Sequence, residues 1–153
     1  MAEELNKQSP LNTLLGRYWL PSIRAYVEIH RRNPAQALKL LEAATPYDLA
    51  FPQPQFEEGG LLYPAYVRGL AFMLLHQGRE AANEFQKFLD HRGVVLNSVL
   101  AALAQYQLAR ALSLSRDSSG ARKAYQDFFA LWKNADPDIP VLKQAKAEYA
   151  KLQ

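Results

Sequence analysis

Three histidines are the side chains in this sequence best suited to metal binding or proton transfer. His30, His76 and His91 are far apart, and none of them lies four residues from another histidine or in a His-Glu-x-x-His frame. A zinc site on a single helix needs that spacing, because residues four apart share one helix face. Each histidine instead falls at the C-terminal end of a predicted helix, where an imidazolium interacts favourably with the helix dipole. We therefore expect no metal ion and no catalytic histidine.

The other polar clusters also lack the pattern of a catalytic or cofactor site. Asp136 and Asp138 flank a proline, but a calcium loop needs several oxygen ligands at alternating positions, so a turn and a helix cap are the better interpretation. The run Glu57-Glu58-Gly59-Gly60 has neither the Lys-Ser/Thr pair nor the preceding strand of a phosphate-binding loop. The absence of cysteine excludes thiol nucleophiles. We expect a protein that is not an enzyme and has no cofactor.

The composition is that of a folded domain. The chain has 153 residues, of which 49% are hydrophobic and 22% charged, and no apolar run is long enough to cross a membrane. Its 18 basic residues are spread among 15 acidic ones, whereas nucleic-acid-binding proteins concentrate basic charge on one face. We expect a flexible N-terminus at 1–10 and one domain at 11–153, with no nucleic-acid contact and no membrane insertion. The cellular compartment stays open.

An internal repeat is the strongest structural signal in the sequence. Each copy has a small residue, an alanine twelve positions later, a large apolar residue four positions further, and another apolar residue three positions after that. Polar residues between the small residue and the alanine predict a turn, so each copy is a pair of helices. The small residues let the two helices approach, and the larger ones fill the space between neighbouring pairs. The copies are Ala25, Ala37, Leu41 and Ala44; Gly69, Ala81, Phe85 and Phe88; and Ala109, Ala121, Tyr125 and Phe128.

Helical spacing and turn signals predict seven helices. The linker at 45–60 contains three prolines and a glycine pair, and the linker at 90–98 offers Gly93 as a helix stop and Asn97 or Ser98 as the next cap. The predicted helices cover 12–31 with a kink at Pro21, 34–44, 61–77, 79–91, 98–115, 118–133 and 139–152. They form three units at about 12–44, 61–91 and 98–133, followed by a capping helix at 139–152.

The repeat resembles the tetratricopeptide repeat (TPR). The TPR signature is W-x2-L-G-x2-Y, then A-x3-F, then a proline. The middle copy matches best, with Ala65-x2-Arg68-Gly69-x2-Phe72 and Ala81-x3-Phe85. No copy has the opening tryptophan or the closing proline, and the small residues are 44 and then 40 positions apart, against a repeat of about 34. The resemblance implies an all-α fold: a short right-handed α-solenoid of about three TPR-like helix pairs with a C-terminal capping helix.

Four longer sequence segments make the resemblance to TPR proteins more specific. The segments LPSIRA (20–25), YPAYVRG (63–69), EFQKFLDHRG (84–93) and LWKNADPDIP (131–140) are similar to the C-terminal TPR region of acidobacterial-type multidomain proteins. In those proteins such a region follows a serine/threonine kinase domain or a winged-helix DNA-binding domain, often across a membrane segment. The similarity covers roughly residues 10–150 and implies a regulatory or sensory part of a bacterial signalling protein. The partner would then be another protein, or the parent kinase or DNA-binding domain.

In stacked TPR units the first helix of each pair lines a concave groove. The positions of several aromatic residues within the repeat predict that they lie on that surface. Tyrosine and arginine are common in binding hot spots because they combine a large contact area with a polar group. We expect the groove to bind a protein or peptide, with Arg110 receiving an acidic group. The predicted groove residues are Trp19, Ser22, Tyr26, Tyr63, Tyr66, Leu70, Met73, Leu103, Tyr106 and Arg110.

Two alternatives stay open at this point. Any of these tyrosines could pack against the next helical layer as part of the core. The same face could also form a homodimer or dock on the parent domain, and the chain would then be a structural assembly element without a separate ligand. If the groove is not the functional surface, the next candidate is the linker at 46–60, which carries Tyr47, Phe51 and Phe56.

Overall fold

All regular structure is helical in the part of the chain that the structure describes. The structure is a computed structural model, and it describes residues 4, 7, 11–49, 62–95 and 98–152. No strand occurs among these residues, which confirms the all-α prediction. They contain eight α-helices: α1 (Leu20–His30), α2 (Pro34–Leu41), α3 (Tyr63–Leu74), α4 (Gly78–Asp90), α5 (Arg92–Val95), α6 (Val99–Leu114), α7 (Ser118–Leu131) and α8 (Pro140–Ala150). None of these eight is both long enough and apolar enough to span a bilayer.

Each of the seven predicted helices is present, and the differences lie in the linkers. The short helix α5 has no predicted counterpart. The prediction of Gly93 as a helix stop is wrong, because α4 already ends at Asp90 and Gly93 lies inside α5. Ser98 is the N-cap of α6, where its hydroxyl accepts a hydrogen bond from the Leu100 backbone N–H at 3.2 Å. The predicted flexible segment 1–10, apart from residues 4 and 7, and linker residues 50–60 lie outside the described residues.

The chain enters α1 through a π-helical turn, Leu15–Trp19, next to the predicted kink at Pro21. Proline has no backbone N–H and clashes with the carbonyl group four residues earlier, so ordinary helical bonding cannot pass through it. One residue later, the Ser22 hydroxyl donates to the Tyr18 carbonyl oxygen at 2.5 Å. This local path buries the Tyr18 ring, whose hydroxyl accepts a hydrogen bond from the backbone N–H of Tyr63 at 3.2 Å. The start of the first helix is thereby linked to the start of α3.

The three turns between paired helices are built in the same way. Arg32, His76 and Arg116 follow the first helix of each pair and have φ values of 60°, 57° and 66°. In the middle turn the Gln77 N–H donates to the Phe72 carbonyl oxygen at 2.9 Å, and the equivalent bond in the other two turns has the same length. This arrangement is a Schellman motif, with arginine or histidine at the left-handed position that glycine usually fills. The turns therefore repeat at the same intervals as the sequence pattern.

All twelve positions of the sequence repeat are buried, as the pattern predicts. Gly69 shows why a small residue is needed: a Cβ atom there would lie 2.5 Å from Cζ of Phe85. Only glycine lets the Phe85 ring of α4 pack directly on the backbone of α3. A second close approach occurs at Gly78, where a Cβ atom would lie 2.6 Å from the Ser115 nitrogen and 2.7 Å from the Ala111 carbonyl oxygen. The start of α4 therefore lies backbone to backbone against the end of α6.

Helix contacts follow the order of the chain. The pairs are α1 with α2, α3 with α4, and α6 with α7. The second helix of each pair also contacts the first helix of the next, through α2 with α3 and α4 with α6. The first helices touch one another, α1 with α3 and α3 with α6, while α8 packs on α7 through a face that buries Leu142 and Ala145. This arrangement places α1, α3 and α6 side by side.

A largely buried cluster of four charged side chains joins the end of the first unit to the second. The guanidinium of Arg68 forms ion pairs with Asp48 and with Glu84, the latter at 3.0 Å. The Lys87 ammonium lies 2.8 Å from Glu84 and 3.3 Å from Asp48. Burial lowers the pKa of Arg68, but the two carboxylates outweigh it and raise that pKa above its ordinary value. The cluster is neutral overall and fixes the segment after Thr45, whose hydroxyl oxygen accepts a hydrogen bond from Arg68 at 3.4 Å.

Candidate functional site

Three aromatic side chains form a partly exposed group on one surface. They are Trp19, the residue before α1, Tyr26 of α1 and Tyr63 of α3. The ring centroids of Trp19 and Tyr63 are 6.4 Å apart, and those of Tyr26 and Tyr63 are 6.5 Å apart. Tyr26 is 39% exposed, whereas Trp19 and Tyr63 are half-buried. All three belong to the predicted groove, and the structure brings them together on one surface. Large aromatic surface that remains accessible in this way can contact a partner.

Tyr66 and Tyr106 are core residues as far as their rings are concerned. Tyr66 is 9% exposed and packs edge-on against Phe85 and Phe88, with centroids 5.6 and 6.2 Å away. Tyr106 is 3% exposed and lies 5.5 Å from the ring of Phe128. The prediction that these rings face an open groove is wrong. Each tyrosine precedes the small residue of its helix by three positions, and residues three apart share the face that packs on the second helix of the pair.

The hydroxyl of Tyr66 is nevertheless influenced by residues of the aromatic group and of α6. Desolvation is the largest influence on this hydroxyl and raises the pKa of Tyr66. A hydrogen bond with Gln107 opposes that shift, and Tyr26, Tyr63 and Arg110 are all near enough to change the same pKa by their charge. The Tyr66 hydroxyl therefore lies within electrostatic range of residues on α1, α3 and α6. We call the surface formed by Trp19, Tyr26, Tyr63, Tyr66 and Arg110 the aromatic face.

Arg110, predicted to receive an acidic group, has an acidic neighbour within its own chain. Its Nε atom lies 3.3 Å from Oε1 of Glu148 on α8, and its Nη1 atom donates to Gln107 at 3.1 Å. The guanidinium carbon also lies 5.6 Å from the centroid of the Tyr106 ring, within cation–π range. About a third of the Arg110 side chain remains exposed. An acidic ligand would therefore have to compete with Glu148 for this cation.

Glu148 also accepts hydrogen bonds from two buried tyrosines. The hydroxyls of Tyr106 and Tyr125 donate to its Oε2 atom at 3.0 and 2.8 Å. Desolvation is the main cause that raises the pKa of both tyrosines, and the negative charge of Glu148 raises both further. Both hydroxyls consequently stay protonated, and the carboxylate anchors α8 on the C-terminal edge of the aromatic face.

The remaining predicted groove residues are fully or partly buried. Ser22 is fully buried and is used in the bond to Tyr18. Leu70, Met73 and Leu103 are partly buried and pack against the main hydrophobic core. Among the predicted groove residues Tyr26 is exposed, and the others are partly or fully buried.

Two polar residues of this surface, Gln107 and Glu148, are not among the predicted site residues. The sequence contains one signal for Glu148: it lies three positions after Ala145 on the apolar stripe of α8. A charge on the buried stripe of a helix needs a partner, because an unpaired buried charge is very unfavourable. Gln107 follows Tyr106 on a helix rich in apolar residues, and we see no pattern that distinguishes it.

The described residues contain no group of His, Asp and Glu side chains arranged to hold a metal ion. No protein-family model, no curated protein and no solved structure matches the chain.

Proposed function

We propose that the chain is a short array of TPR-like helix pairs that binds a protein or peptide segment along the aromatic face. Three observations support the array: the identical turns, the burial of every repeat position, and the contacts of α2 and of α4 with the first helices on either side of them. Such stacking leaves the first helices on a shared surface. Under this proposal the function is binding, and the chain performs no catalysis.

The main evidence for a binding surface is the exposed aromatic group. Trp19, Tyr26 and Tyr63 present apolar ring surface to solvent beside the polar Tyr66 hydroxyl and the Arg110 guanidinium. This combination suits a segment with one or two large apolar side chains and backbone groups free to accept hydrogen bonds. Because Glu148 already pairs with Arg110, we propose apolar rather than acidic anchor residues in the ligand.

The test is selection of a phage-displayed random-peptide library on the whole chain, followed by titration of the enriched peptides. Tyr26→Ala and Tyr63→Ala should weaken their binding by about tenfold or more, as expected for hot-spot aromatics. Val99→Ala is the matched control, since Val99 is 69% exposed but is not part of the aromatic face. Peptides that bind all variants equally, or a selection that enriches nothing, would contradict the proposal.

Self-association is a second candidate, and one observation favours it. Ile23 and Val27 on α1 are 45% and 42% exposed, although they are large apolar residues one helical turn apart. The other first helices, α3 and α6, are each contacted by the second helix of the preceding pair. A second copy of the chain could cover α1 in the same way. Light scattering after size-exclusion chromatography should then show a dimer that Ile23→Ser abolishes.

The sequence resemblance supports a wider proposal, that the chain is the regulatory or sensory part of a bacterial signalling protein. Its partner would be another protein, or a kinase or DNA-binding domain of the same polypeptide. This context is tested by the gene sequence around the segment.

A further inference from the structure

A pocket of about 320 Å3 lies on a part of the molecule that the aromatic face does not use. It is bounded by the end of α4, by α5, by the first turns of α6 and by the end of α7. We call it the α5 pocket. Its volume equals that of about ten water molecules at liquid density, which is the lower end of the range for small-molecule sites. Most of its lining is apolar or aromatic, and it includes Phe88, Ala102 and Trp132.

Gln105 supplies a buried polar group to this pocket. The residue is only 2% exposed, and its Nε2 atom donates to the Ala124 carbonyl oxygen at 3.2 Å. Its Oε1 atom has no hydrogen-bond partner among the described residues. Among those residues Asp48 Oδ1 is the one side-chain oxygen or nitrogen that is both unpaired and fully enclosed, so Gln105 Oε1 keeps contact with open space. Gln105 is one of the residues that line the α5 pocket.

Arg92 supplies a positive charge at the rim. It belongs to α5, is exposed, and forms no hydrogen bond or ion pair with any residue that the structure describes. No acidic residue is found in the described lining, so nothing there neutralises this cation. An unpaired guanidinium beside an apolar cavity is a strong recognition element for a carboxylate, because it can donate two parallel hydrogen bonds to it.

We propose that the α5 pocket binds a small carboxylic acid with an apolar, preferably aromatic, body. The carboxylate pairs with Arg92 at the rim, the body packs between Phe88 and Trp132, and a donor group of the ligand, where present, bonds to Gln105 Oε1. The limited volume admits a small molecule and not a folded segment of chain. The assignment does not depend on the peptide-binding role of the aromatic face.

The sequence gives a physical reason for a cavity at this place. Gln105 occupies the position at which the TPR signature has its tryptophan, as the register Gln105-x2-Leu108-Ala109 shows. A glutamine side chain is smaller than that of tryptophan and fills less of the space between the helices at this position. The side chain of Trp132, from the residue after α7, lines the remaining space.

The experiment uses 4-phenylbutanoate as the probe and its uncharged amide, 4-phenylbutanamide, as the comparison. Binding is followed by the indole N–H signal of Trp132 in nitrogen-15 correlated spectra of the full chain. The chain has two tryptophans, and Trp19→Phe assigns the signal. The acid should shift the Trp132 signal in a saturable manner, and the amide should bind about tenfold more weakly, because it lacks the charge-assisted bonds.

Three variants make the result specific. Arg92→Gln should weaken binding of the acid by about tenfold and leave the amide unchanged, while Arg79→Gln, which changes an exposed arginine on α4 away from the pocket, should affect neither. Ala102→Leu should fill the cavity and abolish binding of both probes while the helical circular dichroism is retained. The proposal is overturned if neither probe shifts Trp132, if acid and amide bind equally, or if Arg92→Gln binds the acid as tightly as the parent.

Discussion

His76 has a side chain in a backbone conformation that normally requires glycine. Its φ of 57° lies in the left-handed region, where Cβ crowds the following carbonyl oxygen at a cost of about 1–2 kcal/mol. The hydrogen bonds of the turn fix this conformation as long as α3 and α4 remain paired. Helix pairing therefore maintains a local strain at a single residue.

Replacing His76 with glycine should consequently stabilise the fold. We expect the free energy of unfolding to rise by about 0.5–1 kcal/mol, because the greater freedom of glycine in the unfolded chain offsets part of the relieved strain. Urea denaturation measures the change. His91→Gly is the control, since His91 also follows a helix but has a φ of −117°, and it should not gain stability. Equal effects of the two substitutions would show that residue 76 is not strained.

Gly69 poses the opposite requirement, since it must remain without a side chain. Gly69→Ala forces the Phe85 ring to move and should cost about 1–3 kcal/mol of unfolding free energy. Gly93→Ala is the comparison: no atom lies within 4 Å of its Cβ position, and a helical glycine-to-alanine change there should stabilise by up to about 1 kcal/mol. In a Phe85→Leu background the cost of Gly69→Ala should shrink, and additivity of the two changes would contradict the contact.

Among the helices and linkers, the charged cluster around Arg68 attaches the segment at Thr45 and Asp48 to α3. The Arg68 side chain is 8% exposed, so its removal leaves Asp48 and Glu84 buried with only Lys87 to balance them. Arg68→Met should cost about 3–5 kcal/mol. Lys123→Met breaks an ion pair whose side chains are 77% and 46% exposed, and should cost less than about 0.5 kcal/mol. Chemical denaturation of both variants checks the contrast, and similar losses would argue against the buried cluster.

The helices were predictable because small and large apolar residues recur at fixed spacing, with turn signals between them. The buried cluster was not, although Arg68 stands at the position where the TPR signature has leucine. Arg24 occupies the same position of the first copy and is exposed, so the repeat register does not show that Arg68 is buried. Its partner Asp48 lies twenty positions earlier, in a segment without regular spacing. In the candidate site, Trp19, Tyr26 and Tyr63 follow from the repeat register. Glu148 does not, because it belongs to α8, which lies outside the repeat.

Because several tyrosine hydroxyls are buried, we expect the whole protein to lose stability in alkaline solution. Burial raises the pKa of five of them above the ordinary value of about 10: Tyr18, Tyr63, Tyr66, Tyr106 and Tyr125. Below pH 10 both the folded and unfolded chains keep these hydroxyls protonated, and stability is unaffected. Above pH 10 the unfolded chain ionises first, so stability falls by up to about 1.4 kcal/mol per pH unit for each tyrosine.

The measurement is the urea midpoint between pH 8 and pH 11, in the parent and in Tyr125→Phe. The variant is expected to be less stable at pH 8, because Glu148 loses a donor, but to lose stability less steeply above pH 10. Identical slopes would mean that the Tyr125 hydroxyl ionises equally in both states. Tyr149→Phe is a suitable control, since Tyr149 is only partly buried.

The contact at Gly78 has a mechanical consequence. Because main-chain atoms of α4 and α6 touch there without side chains between them, no rotamer change can absorb a displacement at this point. The junction between the second and third helix pairs therefore acts as a stiff joint, whereas contacts made through flexible side chains can deform. If the helix pairs bend relative to one another, we therefore expect the bending at two other places. One is the contact of α1 and α2 with α3, and the other is the contact of α8 with α7.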